Sequence, residues 1–320
     1  MSISITGGIS FSGGVGITAA PPSTATAGWW GAGQNTTSVQ RVTFATDTAT
    51  ATLRGPLNAS SYFYGLAAAG TLSDGWYGGG TQSGVGDIST VNRITYATDT
   101  ATASIKGPLS LARAYLGATS DGTTYGWFGG GQTGAPVRSA VDRITYATDT
   151  ATASVRGPLS GNRSRVTGTG TSTDGWFGGG YGGSPLSTVN RITYATDTAT
   201  ASVKGSLNIP TGFMAASTDG TTYGWFAGGF GPYSAVQRIT YANDTATASL
   251  RGPLTSTIYG VSAAGDSTYG WFGGGRNPAT PEGIVTTVQR ITYATDTATA
   301  SIRGPLSTPT TLSGAAAGAQ

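Results

Sequence analysis

The stretch RITYATDTATAS at residues 93–104 recurs six times. It begins at Arg41 as RVTFATDTATAT, at Arg93, Arg143, Arg191 and Arg290 in the same form, and at Arg238 as RITYANDTATAS. A second phrase keeps step with it: GWWGAG from Gly28, GWYGGG from Gly75, GWFGGG from Gly126, Gly175 and Gly270, and GWFAGG from Gly224. The tryptophans at 29, 76, 127, 176, 225 and 271 are spaced by 46 to 51 residues. That period fits β-propeller blades better than the shorter coils of most solenoids. The repeat fills residues 28–320, so one closed array is expected rather than two independent cores.

Gly accounts for 53 of the 320 residues, and no segment carries apolar residues at helical spacing. An all-β chain with many tight turns and no helix follows. One unit, residues 115–157, divides at its turn signals into strands A (YLGAT, 115–119), B (YGWFGGG, 125–131), C (AVDRITYA, 140–147) and D (TATASVR, 150–156). Asp-Gly marks the A–B turn and Thr-Asp-Thr the C–D turn. Trp127 and Phe128 are neighbours on strand B and must face opposite ways, so both faces of the sheet are apolar, as sheets packed between two others require. Strand A is built of Gly, Ala, Ser and Thr, which suits the crowded innermost position. Strand D ends in Arg54, Lys106, Arg156, Lys204, Arg251 or Arg303, and a charge there reads as protection of an outer edge. The first unit lacks a strand A until LSGAAAGA at 312–319 supplies one, so the two ends of the domain should interlock.

A small-residue strand, an aromatic strand ending in Gly-Gly, V-x-R-x-x-Y and a Pro-Leu-Ser-x-x-Arg connection together resemble kelch repeats, with GPLSLAR at 107–113 nearest the pattern. The GWFGGG and RITYATDTATAS repeats are also similar to those of tail-fibre and other virion proteins of bacteriophages, especially phages of marine bacteria and cyanobacteria. The resemblance implies a six-bladed kelch-like β-propeller, closed by the C-terminal strand in the first blade. It implies a virion location and a non-enzymatic structural role, as a tail or neck fibre or a surface decoration. Strand D has Ala or Ser where kelch repeats usually have Trp, and the His and Cys ligands of copper-radical oxidases that share the fold are missing, so no enzymology is carried over.

Composition points the same way. With no His and no Cys, most catalytic triads, most zinc sites and all thiol chemistry are out of reach. No cofactor or metal is expected. The triple glycines are not a phosphate loop, since no helix follows them. TSTDGWF at 171–177 has the wrong spacing for a sialidase Asp-box, and Glu282 is the only Glu. The net charge is +3, and 12 of the 17 basic residues sit at two fixed repeat positions, which argues against a nucleic-acid footprint. The recurrent Arg (41, 93, 143, 191, 238, 290) is read as binding carbonyls or a neighbouring blade, and the recurrent Asp (47, 99, 149, 197, 244, 296) as capping its own turn. No apolar run is long enough to span a bilayer, so no membrane insertion is expected, and the N-terminus lacks the pattern of a secretion signal.

Variation collects on one face. The C–D turn never changes length, whereas the B–C stretch before the recurrent Arg has 7, 12, 11, 10, 8 and 14 residues, and the D–A stretches share little. Loop variation on a rigid scaffold is how binding surfaces are commonly built. The candidate ligand face carries Tyr62, Phe63, Tyr64, Tyr115, Phe230, Tyr233 and Tyr259 with Arg113, Arg138, Arg163 and Arg165. Rings and scattered cations suit a host-surface polysaccharide or a neighbouring protein. Arg113 and Arg163 also coincide with the Arg of the kelch connection. Residues 1–27 form a separate arm and linker: Ile3, Ile5, Ile9, Phe11, Val15 and Ile17 all lie at odd positions, and PPSTATA follows. The stripe is read as an assembly arm that adds strands to another virion protein or to copies of this chain, the alternative being that it folds back on its own propeller. The rival readings are a cellular kelch-type protein-interaction module and, least favoured, a glycan-active enzyme.

Overall fold

A computed structural model of the chain describes residues 25–34, 36–231, 233–280 and 283–317. The protein is all-β, with antiparallel pairing throughout and an arrangement consistent with a β-propeller. The arm residues Ile3, Ile5, Ile9, Phe11, Val15 and Ile17 lie outside the described residues.

The repeat reading expects six sheets, and the structure contains seven. Six have four strands each, and in the unit dissected above these are Gly117–Ser120, Tyr125–Gly129, Val141–Thr145 and Ser154–Arg156. The seventh has three short strands, Phe63–Tyr64, Thr81–Gln82 and Gly86–Asp87. It joins a D–A connection to the 12-residue B–C stretch, the second longest of the six. Elsewhere the same loops meet only through single bridges, such as Ala114 with Gln132 and Ser164 with Tyr181. The added sheet is therefore a loop ribbon lying on one end of a four-stranded unit.

Two local expectations also change. Six three-residue 3-10 turns, such as Tyr146–Thr148, follow the strands at the C position, where no helix was expected. The outer strands are only three residues long, because the chain between the 3-10 turn and Ser154 tucks under the neighbouring connection, with the Ala153 amide donating to Pro108 O at 2.9 Å.

The chain ends meet. Gly314–Ala317 pairs antiparallel with Ala27–Gly31, in the register Gly28 with Ala317 to Gly31 with Gly314. The inner strands touch in succession round a common axis, with Gly314–Ala317 reaching Ala67–Gly70. A ring of backbone hydrogen bonds circles that axis just before the inner strands: Tyr115 N to Gly65 O (2.6 Å), Arg165 N to Tyr115 O (2.7 Å), Phe213 N to Arg165 O (3.0 Å), Gly260 N to Phe213 O (2.9 Å), Leu312 N to Gly260 O (2.8 Å) and Gly65 N to Leu312 O (2.7 Å). The sixth bond returns to the first residue.

Each sheet is fastened to the next by the recurrent Asp. Asp99 accepts Trp29 Nε1–H at 2.8 Å and Arg41 Nη1 at 3.2 Å, and pairs with Arg54 at 3.3 Å, all three from the preceding sheet. Asp149 takes Trp76, Arg93 and Lys106 in the same way, and Asp197 takes Trp127, Arg143 and Arg156. Asp244 takes Trp176, Arg191 and Lys204, and Asp296 takes Trp225, Arg238 and Arg251. Asp47, in the first sheet, takes Trp271, Arg290 and Arg303 from the last. Beside each carboxylate the Trp stacks on the aromatic residue that opens the next 3-10 turn, with centroids 3.6 Å apart for Trp29 on Tyr96 and 3.8 Å for Trp271 on Phe44.

The Asp side chains are thus ligands of the previous sheet and not caps of their own turns. The strand-D cations, expected as edge guards, are largely buried inside these junctions. Glycines make the close packing possible. A Cβ on Gly178 would stand 2.5 Å from the Phe226 ring, and Gly179 holds φ +65°.

Two outcomes follow. Asp197→Ala strands Trp127, Arg143 and Arg156 together and should cost about 3 kcal/mol or more, read from denaturant unfolding followed by Trp fluorescence. A chain ending at Thr311 loses both the terminal strand and the two bonds that Leu312 makes in the backbone ring, so its thermal transition should fall and broaden; an unchanged melt would show the interlock to be dispensable.

Candidate functional site

The residue that enters each inner strand sits in the left-handed region. Gly65, Tyr115, Arg165, Phe213, Gly260 and Leu312 have φ of +70°, +58°, +59°, +61°, +63° and +57°. They are the six members of the backbone ring, at the end of the axis where the B–C and D–A loops gather. Below them runs an axial channel of about 140 Å³, lined by the small residues of the six inner strands. At its mouth is a hollow of about 60 Å³ bordered by Tyr115, Arg165, Phe213, Met214 and Leu312.

Aromatic side chains form a connected cluster at this mouth. Tyr115 meets Tyr64 at 6.3 Å and Phe213 edge-on at 5.5 Å. Phe213 continues to Phe230 and Tyr259, each at 6.4 Å, and those two meet edge-on at 5.3 Å. The Arg165 guanidinium lies between two rings, 4.8 Å from the Tyr181 centroid and 4.7 Å from that of Phe213. Burial, with Tyr64 and Asp87 nearby, pushes the Tyr115 phenol up to about 12 although Arg165 pulls it down, so it stays a neutral hydrogen-bonding group at physiological pH.

Of the residues anticipated on this face, Tyr64, Tyr115, Arg165, Phe230 and Tyr259 come together here, and Phe230 is the most exposed of them at 54 %. Tyr62, Tyr233 and Arg138 are half-buried on the same face, and none is in a ring stack or ion pair among the described residues. Phe63, Arg113 and Arg163 are buried and do not present their side chains to solvent. Phe63 packs with Leu57, Leu66 and Tyr77. Arg113 pairs with Asp142 at 2.8 Å and donates to Phe128 O at 2.9 Å; its burial lowers its pKa, which Asp142 counteracts. Arg163 donates to Gly179 O and Thr188 O, and burial lowers its pKa too. Both therefore tie connections to sheets.

Sequence reasoning missed Phe213, Tyr181 and Leu312. Phe213 aligns with Tyr115, each two residues before its inner strand, an alignment that the repeat itself offered.

The two ends of the axis differ in charge. Asp121, Asp219 and Asp266 lie in the A–B turns at the far end, where Asp121 and Asp219 each accept three backbone amides and Asp266 two. The chain also enters there, with Thr26 O accepting the Phe44 amide. Arg138, Arg165 and Arg276 lie in the loops of the mouth end together with Asp87, which accepts the Thr81 hydroxyl and the Gly134 amide, and among the described residues neither Arg138 nor Arg165 is in an ion pair.

Among the described residues there is no group of three metal-ligating side chains, and no helix is long and apolar enough to cross a membrane. No family model matches this sequence, and no curated protein matches it.

Burial separates two arginines that look alike in sequence. Arg113→Ser leaves Asp142 charged and unpaired inside the protein and should cost about 3 kcal/mol, whereas Arg165→Ser should change stability by less than about 1 kcal/mol. Urea unfolding of the two variants side by side checks the assignment.

Proposed function

We propose that this chain is a non-enzymatic structural component of a phage virion, a tail or neck fibre or a surface decoration. In this reading its six four-stranded sheets are the blades of a six-bladed kelch-like β-propeller, with the three-stranded ribbon as a loop elaboration. The propeller presents its mouth to a host-surface glycan, and the N-terminal arm joins it to other virion proteins.

The observation that carries this reading is the opposition of the two faces. The chain enters the first sheet beside the 3-10 turn of residues 44–46, on the face of invariant turns. The aromatic cluster and its arginine occupy the other end of the same axis. A component tethered through residues 1–24 would hold the mouth outward. Exposed and half-buried rings beside hydrogen-bonding groups are suited to sugar faces, which stack on rings through their C–H edges while their hydroxyls are bonded. The lack of His and Cys, and the engagement of the repeated Asp in ion pairs, favour binding over catalysis.

Antibody raised against residues 25–317 should label intact particles of the phage that encodes the chain, seen by gold-label electron microscopy. The soluble protein should bind isolated host-surface polysaccharide, about tenfold more weakly as the Phe230→Ala, Tyr259→Ala double variant. Particles without label would refute the virion role, and equal binding by both proteins would move recognition away from the mouth.

A further inference from the structure

We infer that the mouth is a site for a carboxylated sugar, with Arg165 as the residue that grips the carboxylate. This inference rests on the glycan reading above and adds the charge of the ligand.

The distribution of charge carries it. Of the 17 Lys and Arg residues, 12 are held in the repeated junctions, Arg113 is paired with Asp142 and Arg163 is buried on backbone carbonyls. Of the remaining Arg138, Arg165 and Arg276, Arg165 is the one that lies over aromatic rings beside the hollow. Its guanidinium carbon lies over the rings of Tyr181 and Phe213, its Nε is buried without a hydrogen-bond partner, and among the described residues no carboxylate is paired with it. A guanidinium held against rings with its hydrogen-bonding capacity unspent is suited to taking a carboxylate with two parallel hydrogen bonds.

The site is also asymmetric in a way the scaffold does not require. Around the six-membered ring, positions 65 and 260 are Gly, while 115, 165 and 213 carry Tyr, Arg and Phe consecutively. Tyr115 leans over Gly65, where an added Cβ would stand 2.9 Å from its ring. Arg165 thus follows Tyr115 and precedes Phe213 in the ring, with Phe230 and Tyr259 beyond Phe213, a combination of ring faces and a cation that fits a sugar ring bearing an acidic group better than a neutral chain or a multiply charged phosphate. The acidic A–B turns at the far end disfavour the same ligand there and leave one end of the axis for it.

The test is titration calorimetry on the full chain with a set of uronate and sialyl oligosaccharides, each matched with its carboxyl-reduced form. At least one acidic member should bind about tenfold or more tightly than its reduced partner. Arg165→Gln should abolish that preference, so that the variant binds the acidic and the carboxyl-reduced forms equally, while the variant stays folded by circular dichroism. Arg165→Lys should restore only part of it, since a point charge lacks the two-pronged geometry. Equal binding of acidic and reduced forms, or an acid preference that survives Arg165→Gln, would overturn the inference and leave the glycan reading standing. No binding by any member overturns the inference as well, and binding of host polysaccharide in the preceding experiment then decides separately whether the glycan reading survives.

Discussion

A repeated buried carboxylate, one for each four-stranded sheet, organises this molecule. Each accepts a tryptophan N–H and pairs with two cations from the sheet before it, so the strongest polar contacts run between sheets and not within them. Isolated charges at such depth would be costly, and the three donors are what make the burial tolerable. Because Asp47 serves the last sheet, the series has no free end. The same residues that fasten two neighbours also fasten the first unit to the last.

Five of the six junctions take one of two forms that explain a difference between repeats, the first sheet having Ala27 at the position concerned. In the second and fourth sheets, Asp74 and Asp174 stand at the start of the Trp strand, 3.7 Å from Arg93 and Arg191, and the outer-strand cation is Lys106 or Lys204. In the third, fifth and sixth sheets, Tyr125, Tyr223 and Tyr269 replace those Asp residues and lie under Arg143, Arg238 and Arg290 at 4.1 to 4.2 Å, and the outer cation is Arg. The central arginine is steered by a second carboxylate in one case and by a ring face in the other. STDGW and TTYGW are two solutions to one packing problem.

Much of this was legible in the sequence because a repeat reports which positions matter. Strand order, the small inner strands, the apolar faces around Trp127 and Phe128 and the pairing of the chain ends all follow from period and alternation. A repeat does not report which copy a side chain will touch. Arg143 and Asp197 meet across 54 residues, and within one unit each looks like a local turn or edge residue. Arg113 misled for a related reason, as it lies in a variable connection. Its partner could have been noticed, since Asp142 is the one acid where the other copies have Gln or Asn at the position before the recurrent Arg. The seventh sheet and the left-handed ring were less accessible, because Tyr, Arg, Phe and Leu are poor sequence signals for positive φ.

That ring bears on why the mouth should be regarded as a site at all. A left-handed backbone costs a non-glycine residue about 1 kcal/mol or more, and glycine fills two of the six positions in the same hydrogen-bonded ring. The backbone pattern is therefore satisfied without a side chain. At the other four positions the chain accepts strain to carry Tyr115, Arg165, Phe213 and Leu312 at the head of the axial channel. Part of the return is packing, as in the contacts of Tyr115 with Phe213 and of Arg165 with Phe213. Packing alone does not account for a cation without a carboxylate partner among the described residues, in a protein that pairs most of its other cations. In the proposed binding role, the local strain that carries these side chains to the hollow is offset by contact with a ligand, at the end of the molecule where the loops differ most.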